Sequence, residues 1–246
     1  MTETPQPGVF VYGVVAGDAD LPADAVGPDG SGLRQVAYHD LAAVVGGVLP
    51  DWRPGRDDLL QYSRVVDALA AQGPVVPVQF GSLLADEQDV VDQVLAPEEV
   101  RLAALLEELA GKVQVQVRAR YVEEAVLREV VGSDPEIQEL RQRTKDLPEE
   151  FARGDRIRLG ELASEAVTRR AEEDSERVLA VLRPHTLAEV QHQVGGMDVL
   201  DVAALVEADR FPALEQDLED LAAAAYDRLR IKLVGPTAPY DFVGAE

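Results

Sequence analysis

The chain reads as an α+β protein of two domains, with a smaller mixed α/β domain over residues 1–110 and a ferredoxin-like (βαββαβ) domain over 111–246. Three observations predict this. Strand-like and helical periodicities alternate along 246 residues, enough for one large domain or two ordinary ones. Lys112–Tyr121 alternates apolar and polar without error, as a strand with one buried face does. From that strand onward the order is strand, helix, strand, strand, helix, strand, which is the ferredoxin-like order.

In the first domain, residues 9–15 form a compact apolar run interrupted by Gly13, followed by a Pro/Gly/Asp loop over 18–32. Strands are predicted at 33–38 and 41–45. The helix predicted at 56–71 has Asp57 and Asp58 in its first turn, which suits the helix dipole, and Leu59, Tyr62, Val66 and Leu69 on one face. A short strand at 75–79 precedes helical segments at 86–95 and 98–110, the second opening at Pro97 and stopping at Gly111.

In the second domain, a charged helical extension is predicted over about 122–183, broken near Gly132 and Pro148. It is far longer than the fold requires, so an inserted helical hairpin or extension is expected. Strands at 186–194 and 199–206 flank Gly195 and Gly196, a hairpin signal. Pro212 opens a helix with Leu214, Leu218, Leu221 and Ala225 on one stripe, and a strand at 228–234 closes the set. The tail carries Tyr240 and Phe242, and rings of that size gain by packing onto the body.

The first and last strands of a ferredoxin-like sheet are neighbours. Their outward phases here hold Lys112, Arg118, Arg120, Arg228, Arg230 and Lys232, six cations on one face of a chain with net charge −23. Either the chain's own acidic helices cover this face, or it is the docking surface for an acidic or amphipathic partner protein. The charge argues against nucleic acid, and these phases contain none of the exposed aromatics on which sheets of this kind stack bases.

Other chemistry is sparse. Zero cysteines exclude disulfides and thiolate sites, and no run approaches a membrane span. No secretory signal is visible, which points to a cytoplasmic protein. HExxH, P-loop, dinucleotide and GxSxG patterns are all missing. His192, in phase with Val190 and Val194, is expected as a semi-buried side chain. The run Glu172, Glu173, Asp174 is expected as a solvated helix face. No catalytic, cofactor or metal residues are assigned.

Four stretches carry a resemblance: residues 11–15 (Val-Tyr-Gly-Val-Val), 75–81 (Val-Val-Pro-Val-Gln-Phe-Gly), Gly111-Lys112-Val113 with Val115 and Val117, and Gly235-Pro236 followed by Pro239-Tyr240-Asp241-Phe242-Val243. In this order, over nearly the whole chain, they are similar to the gas vesicle protein F/L family. Gln79 stands where the family often has arginine, and Gln114 where an acidic residue is common. The resemblance implies a non-enzymatic accessory protein that associates with gas vesicles and other accessory proteins. It would bind the hydrophobic shell protein and limit its aggregation during nucleation. The motif residues Pro77, Phe80, Gly81, Gly235, Pro236, Pro239, Tyr240 and Phe242 would be structural. A ligand-sensing or regulatory ferredoxin-like module is the alternative.

Overall fold

The computed structural model describes residues 8–50, 52–146 and 148–244. Residues 1–7 and 245–246, the outer ends of the two expected domains, lie outside the described residues, as do Asp51 and Leu147. The protein is a mixed α/β structure with two antiparallel sheets, one of five strands and one of four.

The first sheet has the order β2-β3-β1-β4, from β1 (Val9–Ala16), β2 (Arg34–Tyr38), β3 (Leu41–Gly47) and β4 (Val76–Pro77), with β5 (Leu83–Leu84) also paired to β1. Strand β1 is buried on both sides, which is why it reads as an apolar run rather than an alternation. Phe10 and Tyr12 face the aromatic side with Tyr62 and Leu69 of α1 (Arg56–Gln72). Val9 and Val11 face the aliphatic side with Leu102 and Leu106 of α3 (Ala96–Leu109). A bulge between Val11 and Gly13 shifts the register, so Val14 continues the aliphatic side and Val15 the aromatic one.

The loop before β2 is packed rather than loose. A Cβ on Gly27 would lie 2.9 Å from the Gly46 Cα, so glycine is needed where loop and strand backbones touch. The two helical segments predicted on either side of residue 96 are continuous. Helix α2 (Glu87–Val90) passes through a π turn at Val91–Leu95 into α3, and Pro97, which has no N–H to donate to the preceding turn, lies just past that π turn.

The second sheet has the order β7-β8-β6-β9, from β6 (Lys112–Tyr121), β7 (Thr186–Gln191), β8 (Asp198–Glu207) and β9 (Leu229–Thr237). The β6–β8 pair is antiparallel: Tyr121 N–H donates to Met197 O at one end and Ala208 N–H to Gly111 O at the other. Between β6 and β7 lie three helices, α4 (Glu123–Ser133), α5 (Pro135–Thr144) and α6 (Glu149–Leu182). The break after Gly132 is a capped restart: Asp134 accepts from the N–H groups of Glu136 and Ile137, and Pro135 fills the first helical position. Helix α7 (Phe211–Ala224) joins β8 to β9 and buries Leu214 and Leu218.

The compact units do not follow a single cut of the chain. One gathers the chain up to Val115, Leu205–Ala208 and the stretch from Gly235 onward; the other comprises Gln116–Ala204 and Asp209–Val234. The expected boundary at 110/111 thus differs from the packing. The strand ends 112–115 and 205–208, and the tail, cluster with the first unit.

Candidate functional site

The helices of the second unit cover one face of its sheet and leave the other open. Asp174 of α6 accepts the hydroxyl of Tyr121, so α6 lies on the Tyr121 side of β6. Arg118 and Arg120 point the opposite way, and their side chains are 61% and 64% exposed. The reading in which the chain's own acidic helices cover the basic face is therefore corrected. Its counter-charges come from β8 instead.

Arg118, Arg120, Arg230 and Lys232 line one concavity of about 480 Å³ together with Asp198 and Asp201. Arg118 Nε lies 3.2 Å from Asp201 Oδ2, and Arg120 Nη1 lies 2.9 Å from Asp198 Oδ1. Asp201 also accepts from the Gln116 amide, and His192 Nδ1 stands 3.4 Å from the same carboxylate. Arg230 stacks over the Tyr226 ring, 3.9 Å from its centroid, and donates to the Tyr226 carbonyl. Lys232 has no ion-pair partner among the described residues. Four cations thus face two carboxylates. Exposed pairs of this kind are each worth roughly 0–1 kcal/mol, so these arginines are only lightly held.

Two of the six predicted cations are elsewhere. Arg228 continues the alternation of β9 on paper, but it belongs to the turn that precedes the strand. Its guanidinium turns to the helical side and makes two contacts with Asp174, one of them from Nη2 to Oδ1 at 2.9 Å. Lys112, at the start of β6, belongs to the first unit and donates to the Glu108 carbonyl.

Two expectations for the acidic run and for His192 are also corrected. Asp174 is only 2% exposed and is not part of a solvated face. Burial acts to raise its pKa, but hydrogen bonds from Arg228 and Tyr121 and the charges of Arg228 and Arg177 outweigh it and hold the carboxyl below the ordinary range. His192 is exposed on the open face beside Asp201 rather than semi-buried.

The motif residues lie in the first unit. Pro77 pairs with Gly13, Phe80 packs on Phe10 and Tyr62, and Gly81 takes a left-handed φ of 94° in the following turn. Gln79 offers its carbonyl to the Ser82 N–H and hydroxyl. The tail is held at three points. Ala238 N–H donates to Asp67 of α1 at 2.9 Å. Gln114 donates its amide to Asp241 at 2.6 Å and accepts the Asp241 N–H at 3.0 Å. Arg101 donates to the Val243 carbonyl at 2.7 Å.

Gly235, with φ 148°, sits where a Cβ would come 3.0 Å from a Val115 methyl, and Pro236 follows it through a cis peptide bond. Ala238 and Pro239 are buried and Phe242 is half-buried, but Tyr240 keeps 38% of its surface exposed, more than its size suggested. Burial pushes Tyr62 up to about 12 and Tyr240 higher still, so both phenols are neutral at ordinary pH.

Sequence reasoning missed Asp198, Asp201 and the clasp between Gln114 and Asp241. Strict alternation places residues 198 and 201 on opposite faces of a strand, so no pattern announces that both reach the groove. The clasp joins residues 127 apart in the chain. No group of three or more metal-ligating side chains occurs among the described residues, and no described helix is long and apolar enough to cross a membrane.

A sequence model of the gas vesicle synthesis protein GvpL/GvpF family matches residues 8–244. Gas vesicle protein F of Streptomyces sp. (strain CB03234) is 29% identical over 241 residues, covering 95% of this chain and 98% of that protein. Gas vesicle protein L of the same organism is 27% identical over 251 residues, covering 96% and 92%. The crystal structure of the gas vesicle protein GvpF from Anabaena sp. PCC7120 superposes with a TM-score of 0.81 at 20% identity, covering 98% of this chain and all of that one, so the fold is shared.

Proposed function

Because the chain belongs to the gas vesicle synthesis protein GvpL/GvpF family, we propose that it is a non-enzymatic accessory protein of gas vesicle formation that binds the hydrophobic shell protein and limits its aggregation during nucleation. The observation that carries this reading is the family match over residues 8–244, nearly the whole chain. The net charge of −23 supports it, since a strongly charged companion keeps a self-associating apolar partner dispersed. Work inside the cell, on the growing vesicle, follows from the same reading.

The second sheet is read as ferredoxin-like. Numbered within the second half, its strands lie in the order 2-3-1-4, with helices between the first and second and between the third and fourth. The motif residues act in this proposal as packing elements: the tail clasp supports that role for Pro239 and Phe242, and the turn at Gly81 for Pro77 and Phe80.

Co-expression with the shell protein tests the function. The expected outcome is a larger soluble fraction of shell protein in the presence of this chain. An unchanged insoluble fraction sinks the reading.

A further inference from the structure

We propose that the open groove of the second sheet is a receptor for a carboxylate-rich segment of a partner protein. Arg118, Arg120, Arg230 and Lys232 would hold it, with Asp198 and Asp201 as built-in competitors that the incoming carboxylates displace. This rests on the accessory-protein reading in one respect, that the chain works by binding proteins.

The argument begins with spacing. Arg118 and Arg120 are two residues apart on one face of β6, about 6.8 Å, and β9 runs alongside at about 4.8 Å with Arg230 and Lys232. That grid matches carboxylates at alternate positions of an extended segment. Three of the four cations are arginines, whose forked donors meet carboxylates through paired hydrogen bonds.

Availability comes next. The two arginine–aspartate pairs are solvent-exposed, so exchanging one carboxylate for another loses little. Two cations remain beyond those the resident aspartates match, and Lys232 has no resident partner among the described residues. The charge of the whole chain then decides between polyanions. Its repulsion is screened within about 8 Å at physiological salt, so a short acidic segment seated in the groove escapes most of it. A nucleic acid, whose charge runs on past the groove, meets the rest of a surface with net charge −23.

The test is fluorescence anisotropy on the full chain with a labelled peptide of alternating Glu and Ser, beside its counterpart with Gln for Glu. The Glu peptide should bind and the Gln peptide should not. Arg118→Glu with Lys232→Glu should weaken binding about tenfold or more. Asp198→Asn with Asp201→Asn should tighten it several-fold, which a purely structural role for these aspartates does not produce. Should the charge-reversed variant melt early, the asparagine pair still decides, because it removes charge without adding any. Equal binding of the Gln peptide, no tightening in the asparagine pair, or preferential binding of a labelled single-stranded DNA each overturns the proposal. Peptide binding that fails while co-expression still solubilises the shell protein overturns this inference alone; the reverse result overturns the chaperone reading alone.

Discussion

Asp67 in the first unit and Asp174 in the second each tie a late segment of the chain to a helix, but with opposite electrostatics. Asp67, on α1, accepts the backbone N–H of Ala238, a neutral donor. Burial raises its pKa, and that single hydrogen bond does not offset it. Asp174, on α6, is more deeply buried, yet two arginines and the Tyr121 hydroxyl bring it below the ordinary carboxylate value. Burial alone does not set the state of a carboxylate; the charge of its donors does. Asp174 is held by charged donors and Asp67 by a neutral one, and the two should fail under different conditions.

Asp174 is where the largest effect is expected. Arg228→Met leaves Asp174 buried without its main counter-ion and should cost about 3–5 kcal/mol by denaturant unfolding. The double variant Asp174→Leu with Arg228→Met should recover part of that loss, since an apolar pair replaces two charges while the Tyr121 hydroxyl loses its acceptor. A double variant no better than the single one would show that the pair is not acting as a unit.

The clasp should yield less. Tyr240→Ala should cost about 2 kcal/mol, below the range for fully buried rings because part of this one is exposed. A change under about half a kcal/mol would mean that the ring adds nothing to the clasp. Gln114→Leu removes both hydrogen bonds to Asp241 and should cost about 1–2 kcal/mol. Gln114→Glu should cost at least as much, because it sets a carboxylate against Asp241, 2.6 Å from the present amide. Glutamine suits position 114 because its amide both donates to the Asp241 carboxylate and accepts the Asp241 N–H, which a carboxylate cannot do.

Acid should separate the two regions most subtly. For Asp174 the folded pKa lies below the ordinary 3.8, so its stabilisation is present above that value and is lost as pH falls through the folded pKa. For Asp67 the folded pKa lies above 3.8, so its contribution rises as pH falls through the folded value towards 3.8. Amide exchange followed between neutral pH and pH 4 should show Ala238 gaining protection relative to amides around Tyr121. Asp67→Asn should flatten the Ala238 profile. A variant whose profile matches the parent would show that Asp67 does not govern it.

Much of this was legible in the sequence. The alternation of β6 is visible because one face is buried and the other opens to solvent from Arg118 onward, and four of its six associated cations do meet in one groove. Alternation extends on paper one residue past the start of β9 at Leu229 and so puts Arg228 on the open face, whereas Arg228 lies in a turn whose geometry has no period. Asp174 looked like its neighbours because its burial depends on Arg228 and Tyr121, more than 50 residues away in sequence. The segments predicted at 86–95 and 98–110 join through a π turn at Val91–Leu95, a local widening that leaves no periodic mark in the sequence. Local patterns reveal faces and periods, whereas partners that meet across the fold leave no local trace.

The interleaving of the two units also has a consequence in time. The core that contains Phe10, Tyr62 and Leu69 is sealed by Ala238, and Asp67 and Gln114 find their partners at Ala238 and Asp241. Phe10, Tyr62, Asp67, Leu69 and Gln114 are all synthesised long before residues 235–244. As the chain emerges from the ribosome its first unit is therefore an open vessel awaiting its stopper, and a nascent molecule is complete at its beginning only once its late residues have been made.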